Sequence, residues 1–299
     1  MVLNLVKDAI FMFLTGLSTC GNIFVLVNYI YMFGGSEKKP IHLVILIQLA
    51  FTNTLMLFSR GTLRTIASFG LRDLLGDIGC KTVVYLERVA RGLSICTTSL
   101  LTVVQAISIS PRASRWRRLQ PRSAWHLLPL LVFLWILNSF ISMNLPFYIK
   151  KGSNINSSEI STSGTYCYFL PQNLTIRWIF IALMVLRDAV FQGVMGGASS
   201  YMVFLLHKHH QQVLHLQTSK LLHRTPPEVR AAKSVLLLML CFLFFYWADF
   251  LISLYTTFSL QKHPIAVSAQ EFMTLGFSIF CPFVLLHRDR PLKQCTSLL

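Results

Sequence analysis

The sequence predicts an all-α membrane protein: a bundle of seven transmembrane helices, N-terminus outside and C-terminus cytoplasmic. Seven apolar stretches predict the helices, near residues 9–33, 41–59, 82–109, 126–149, 178–206, 231–258 and 265–287. A spanning helix needs roughly 20 mostly apolar residues, because every backbone N–H and C=O must be satisfied within the segment. A soluble core hides one or two such runs, not seven in 299 residues. Composition agrees, with 54% hydrophobic residues, 13% charged and a mean hydropathy of +0.58. Charged content is about half that of a soluble domain. One transmembrane domain over 1–299 is expected, with no appended enzyme.

The basic residues predict the orientation. With the N-terminus outside, fifteen fall on the cytoplasmic side and nine on the outer side, and Arg88, Arg91 and Arg187 lie within spans. That bias follows the positive-inside rule. The net charge of +16 therefore reads as topology. No zinc spacing, glycine-rich phosphate loop or basic–aromatic repeat accompanies it, which argues against nucleic acid.

Each element has its own signal. The first span serves as its own insertion signal, since Met1–Val6 is no basic leader and the apolar run is too long for one. Gly34 to Lys39 form a turn, and Pro40 suits the opening of the second helix. The third span starts just after Cys80. The loop from Pro111 to Arg122 carries five arginines and no acid, as a topological anchor or as a docking surface. Pro146 permits a kink near the outer end of the fourth span.

The connection to the fifth span holds two sequons, Asn156-Ser157-Ser158 and Asn173-Leu174-Thr175. Both fall on the outer side, where glycosylation occurs. Cys167 lies in the same outer loop. Disulfides persist on the oxidising face, so a Cys80–Cys167 bond is expected to pin that loop over the bundle. Gly193 and Gly197 on the fifth span suit close helix packing. The run His207-Lys208-His209-His210 lacks carboxylate or cysteine companions and reads as a polar helix extension, not a metal site. Thr225, Pro226 and Glu228 resemble a capping box opening the sixth helix in the cytosol. Pro282 permits a kink near the inner end of the seventh.

Ionisable groups at membrane depth cost about 2.5–3.5 kcal/mol on insertion scales, so each is a functional candidate. Glu87, Arg88 and Arg91 sit on the third span, Arg187 and Asp188 on the fifth, Asp249 on the sixth. Glu87 and Arg91 are four apart on one helix face, a spacing that allows a local pair. Glu87 lies seven residues past Cys80, about 10 Å along a helix. These charges line a cavity opening outward, with Tyr85, Phe191, Met195, Tyr246 and Trp247 as apolar walls. The bland alternative is that they pair among themselves and fix helix register. Asn22, Asn53 and Asn138 sit mid-span and suit bonds between helices.

Seven spans with that disulfide resemble G-protein-coupled receptors. The stretch from Arg91 to Pro111, RGLSICTTSLLTVVQAISISP, is similar to the third-helix signature of vomeronasal type 1 receptors. Ser199-Ser200-Tyr201-Met202-Val203 and Leu205 to Val213 resemble the end of that family's fifth helix. Gly21-Asn22, Tyr166 to Pro171 and Pro282-Phe283-Val284-Leu285 match further landmarks along nearly the whole chain. Val104-Gln105-Ala106 stands where rhodopsin-like receptors have Asp-Arg-Tyr, a triplet that the vomeronasal family generally lacks. Cys281-Pro282 stands where the family more often has Ser-Pro.

The resemblance implies a plasma-membrane receptor for pheromone-like small molecules, coupled to an inhibitory-class heterotrimeric G protein. A ligand that prefers an open inner face would shift the bundle toward it. Tyr85, Glu87, Arg88, Arg91, Arg187, Asp188 and Asp249 would contact the ligand. Gln105, Arg112, Arg115, Arg117 and Arg118 would contact the G protein. No cofactor is implied. A bitter-taste receptor shares the missing triplet, but not the cysteine pair or the third-helix signature. A retinal pump would need a lysine inside the seventh span, and none is there. An intramembrane enzyme would need a nucleophile with a base, or paired aspartates, and none is evident. A receptor that no longer signals is a further alternative.

Overall fold

The computed structural model describes residues 2–35, 40–68, 76–111, 126–151, 167–169, 174–216, 227–258 and 264–296. Among these residues, seven apolar helices form the bundle. They are α1 (Val2–Gly34), α2 (Ile41–Ser68), α3 (Asp77–Ile109), α4 (Leu128–Ser142), α6 (Leu174–Leu216), α7 (Pro227–Phe258) and α8 (Pro264–Thr296). The short helix α5 (Leu145–Tyr148) leads into a two-stranded antiparallel hairpin, β1 (Ile149–Lys151) and β2 (Cys167–Phe169). Lys151 pairs with Cys167 in its register. Six of the helices are long and apolar enough to cross a membrane, and α4 is a shorter apolar helix.

The fourth helix stops well before the end of its apolar run at 149, and the cause is Pro146. Proline has no N–H for the Ser142 carbonyl and its ring crowds that carbonyl. The ladder breaks instead at Met143 and Asn144, where Met143 N–H turns back to Phe140 O at 3.2 Å. Pro282 behaves differently, because α8 runs through it. The carbonyl that this proline orphans is Ser278 O, four residues back. Asn22 of α1 donates its Nδ2 to that oxygen at 3.0 Å, replacing the lost bond. A side chain on one helix thus repairs the backbone of another.

The order of packing is cyclic. α2 lies between α1 and α3, α7 packs along α8, and α8 returns to α1. α3 is the hub, touching α2, α4, α5, α6, α7 and β1. Fully buried Leu46, Leu49, Ile95, Leu101, Met195 and Met202 fill the centre. Phe242 and Phe277 meet edge to face at 4.9 Å between ring centres, and Phe245 stacks on Phe280 at 5.3 Å. That closeness depends on Gly276, where any Cβ would strike the Phe245 ring.

The opposite pattern covers the outside. Phe13, Val27, Ile136, Val185, Leu186, Phe204, Leu240 and Leu251 all point away from the bundle. Water would make such a surface an aggregation hazard. Hydrocarbon makes it the solvated face, and helix association then rests on packing and on hydrogen bonds inside.

Candidate functional site

The ionisable residues at membrane depth gather in the half of the bundle nearer Cys80. α3 presents Glu87, Arg88 and Arg91 over little more than one helical turn, and α2, α6 and α7 supply their partners. Glu87 does not pair with Arg91, although the four-residue spacing allows it. Its Oε1 lies 2.7 Å from Arg60 Nε on α2, as an ion pair angled outside hydrogen-bond geometry. Arg91 instead crosses to α7, its Nη2 2.5 Å from Asp249 Oδ2. Spacing along one helix ranks only neighbours on that helix, and stronger partners stood on others.

Asp249 is 5% exposed, so it needs further donors. The Thr274 hydroxyl of α8 lies 2.7 Å from Asp249 Oδ1 and 2.8 Å from the Gln270 carbonyl. Its single proton serves one of them at a time. Arg91 also stands over the Tyr246 ring, 5.9 Å from its centre, within cation–π range.

A second cluster lies alongside. Arg187 donates Nε to Asp188 Oδ1 at 2.8 Å and Nη1 to Asn138 Oδ1 on α4 at 2.9 Å. Asn138 is held in turn by Leu134 O at 2.8 Å. Tyr246 donates its hydroxyl to Asp188 Oδ2 at 3.0 Å. Tyr246 therefore joins both clusters, ring to Arg91 and hydroxyl to Asp188. Gly92 makes room for this, since a Cβ there would overlap Asn138 Oδ1 and the Arg187 guanidinium.

A cavity of about 30 Å³ lies beside the Arg91–Asp249 pair. Arg91, Ser94, Tyr246, Asp249, Thr274 and Ser278 give it a polar side, and Met56, Ile95, Phe242, Phe245, Met273 and Phe277 an apolar one. Beneath it Asn53 Oδ1 accepts from Ser94 at 3.3 Å and from Ser278 at 3.1 Å. The space suits one or two waters. Pockets for drug-sized ligands run to roughly 300–1,000 Å³.

Of the seven residues expected at a ligand site, Arg91 and Asp249 line this cavity. Arg187 and Asp188 reach it through Tyr246. Tyr85 turns to α4, its hydroxyl 3.4 Å from Ser139 O. Arg88 faces Met184 on α6, with Nη1 3.8 Å from the sulfur. Sequence alone does not point to Arg60 or Thr274. Arg60 follows a hydropathy run that ends at 59, yet α2 continues to Ser68 and carries it inside. Thr274 carries no charge to draw notice.

Cys80 is buried and disulfide-bonded, while Cys20, Cys96, Cys241 and Cys281 form no disulfide. The hairpin bearing Cys167 lies against α3 through β1. At the other end of α3, the Ser110 hydroxyl meets the Tyr201 hydroxyl of α6 at 3.1 Å. Gln105 is 8% exposed and so covered in this conformation. Arg112, Arg115, Arg117, Arg118, Asn156, Asn173 and Thr225 lie outside the described residues.

Comparison with known proteins identifies relatives along nearly the whole chain. The family described as the vomeronasal organ pheromone receptor family matches residues 6–297. Vomeronasal type-1 receptor 4 of Homo sapiens is 32% identical over 276 residues, covering 92% of this chain and 91% of its own. Vomeronasal type-1 receptor 3 of Pan troglodytes is 34% identical over 281 residues, 93% of this chain and 89% of its own. Olfactory receptor class A-like protein 1 of Danio rerio is 30% identical over 291 residues, 96% and 90% of the two chains.

Proposed function

Because the chain belongs to the vomeronasal organ pheromone receptor family, we propose that it detects a pheromone-like small molecule and signals through an inhibitory-class heterotrimeric G protein. The family is one of chemosensory G-protein-coupled receptors, not of enzymes, and the chain is a multi-pass protein of the cell membrane.

The observation that carries the ligand reading is the Arg91–Asp249 pair beside an amphipathic cavity. The pair ties α3 to α7, Thr274 adds α8, and Tyr246 adds α6. A ligand competing for any of these groups loosens contacts between four helices at once. Arg91 and Asp249 take its polar group. Tyr85, Glu87, Arg88, Arg187 and Asp188 border the path, and the Met56, Phe242 and Phe277 side takes its body.

In this reading the N-terminus is outside and the ligand enters from the Cys80 end. Cys80 bonds Cys167, a pairing supported by the bonded state of Cys80 and by the hairpin seated on α3. Glycans belong on Asn156 and Asn173. The G protein meets the opposite face at Arg112, Arg115, Arg117 and Arg118, and at Gln105 once it is uncovered.

The test is G-protein activation in cells expressing the chain, screened with volatile and steroid-like compounds while surface expression is followed. A concentration-dependent response sensitive to a toxin that blocks inhibitory G proteins is expected. Alanine at Glu87, Arg91 and Asp249 together should weaken potency by about tenfold or more, the worth of one charged hydrogen bond. Unchanged potency at normal surface expression would remove these residues from the ligand site.

A further inference from the structure

Five threonines are buried among the described residues: Thr15, Thr52, Thr97, Thr98 and Thr102. Four of them donate the hydroxyl to a carbonyl of their own helix, three or four residues back, at 2.7–3.0 Å. Thr97 does not. It is 0% exposed, and its hydroxyl meets no partner among the described residues. Two amides on neighbouring helices are in the same position. Asn53 of α2 is 0% exposed, and Ser94 and Ser278 both donate to its Oδ1 while its Nδ2 finds no acceptor. Asn22 of α1 is equally buried and spends its Nδ2 protons on Ser18 O at 2.9 Å and Ser278 O, while its Oδ1 finds no donor. None of the three residues lines the cavity beside Arg91.

The three groups belong to one junction. Asn22 and Asn53 are anchored on the same residue, Ser278, one at its carbonyl and the other at its hydroxyl. Asn53 also holds Ser94, and Thr97, three residues further, neighbours Ser94 on the α3 surface. We propose that a buried water is bound where α1, α2, α3 and α8 meet, accepting from Asn53 Nδ2, donating to Asn22 Oδ1 and bonding the Thr97 hydroxyl. The spare atoms are one donor, one acceptor and one hydroxyl that serves as either. Water, with two protons and two lone pairs, complements that set, and buried waters take two to four such partners. Turning the Asn53 amide over does not remove the need. Its Nδ2 would then donate to the two serine hydroxyls, and its Oδ1 would be the atom left over. A cation finds no charge to offset its own, because no carboxylate bonds either amide. Buried polar groups are nearly always satisfied, since an unpaired one forfeits its hydration. Three helices are thus joined through a solvent molecule at the point where a fourth, α8, holds both amides.

The test uses the full-length chain in phosphatidylcholine nanodiscs. Thr97→Val keeps the side chain's shape and deletes its hydroxyl. It should lower the melting temperature by about 2–4 °C, the mark of one lost hydrogen bond in a chain of roughly this size. Without a bound water the same change merely removes an orphaned group, so a melting temperature that holds or rises overturns the proposal. In an Asn53→Leu background the effect of Thr97→Val should shrink to near nothing. An undiminished drop would separate Thr97 from Asn53 and overturn the shared site. Exchanging sodium for choline at constant ionic strength should change nothing, and a fall in melting temperature would make the occupant a cation and overturn it too. A density map that resolves waters should carry a peak within about 3.2 Å of both Asn53 Nδ2 and Asn22 Oδ1. Ordered side chains with no peak between them, or two amides bonded directly to each other, would end the inference. These readouts require neither a ligand nor a G protein.

Discussion

At the scale of single residues, the arrangement depends on an absent side chain. Gly92 leaves the gap through which Arg187 reaches Asn138. Alanine there gains about 1 kcal/mol of helix propensity. It also displaces the guanidinium from a bond worth about 1.5–3 kcal/mol. Gly92→Ala should therefore lower stability on balance, by on the order of 1 kcal/mol, as a drop in the melting temperature of purified receptor. An unchanged or raised melting temperature would mean that Arg187 finds equivalent partners. The charges themselves were legible in the sequence because ionisable groups stand out in apolar runs. Their pairing was not, since Arg60 and Asp249 meet Glu87 and Arg91 only through tertiary packing. Gly92 gave no signal at all, because a missing side chain does not announce what fills its place.

At the scale of elements, the two prolines show how one rule yields two outcomes. Pro146 ends α4 at Ser142, whereas Pro282 leaves α8 continuous with Asn22 bonded to the orphaned Ser278 carbonyl. The bond makes a double-mutant prediction. Asn22→Ala alone should cost about 1–3 kcal/mol, the penalty of a buried acceptor left without a donor. In a Pro282→Ala background residue 282 regains its N–H, and the same change should cost markedly less. Equal costs in both backgrounds, measured by thermal unfolding, would show that Asn22 does not serve that carbonyl. Both prolines were visible in the sequence as candidate kinks. Which of them interrupts its helix was not, because the answer lies on a different helix.

At the scale of the whole molecule, seven apolar helices with an apolar exterior follow directly from hydropathy, which is why the architecture was legible in the sequence. The β1–β2 hairpin was not, since three-residue strands carry too little pattern. Its tether is the prediction at this scale. Loss of a disulfide closing so long a loop costs about 2–5 kcal/mol. Cys80→Ser and Cys167→Ser should each cut surface expression, and the double substitution should be no worse than either. Additive losses would separate the two cysteines. An N-terminal epitope should label intact cells without permeabilisation, and labelling only after permeabilisation would invert the topology.

The 30 Å³ cavity beside Arg91 has a kinetic meaning. If this is the ligand site, as proposed, a larger ligand binds only after the helices part. The observed association rate then climbs with ligand concentration only until it reaches the opening rate, and it levels off there. Measured affinity is the intrinsic affinity scaled down by the fraction of open bundles. If that fraction were about one in a hundred, a nanomolar fit would register as roughly a tenth of a micromolar. Substitutions that loosen helix contacts away from the proposed ligand groups would raise sensitivity to every ligand together. On the proposed function, the response threshold would be set as much by the helix contacts around this cavity as by the groups that meet the ligand.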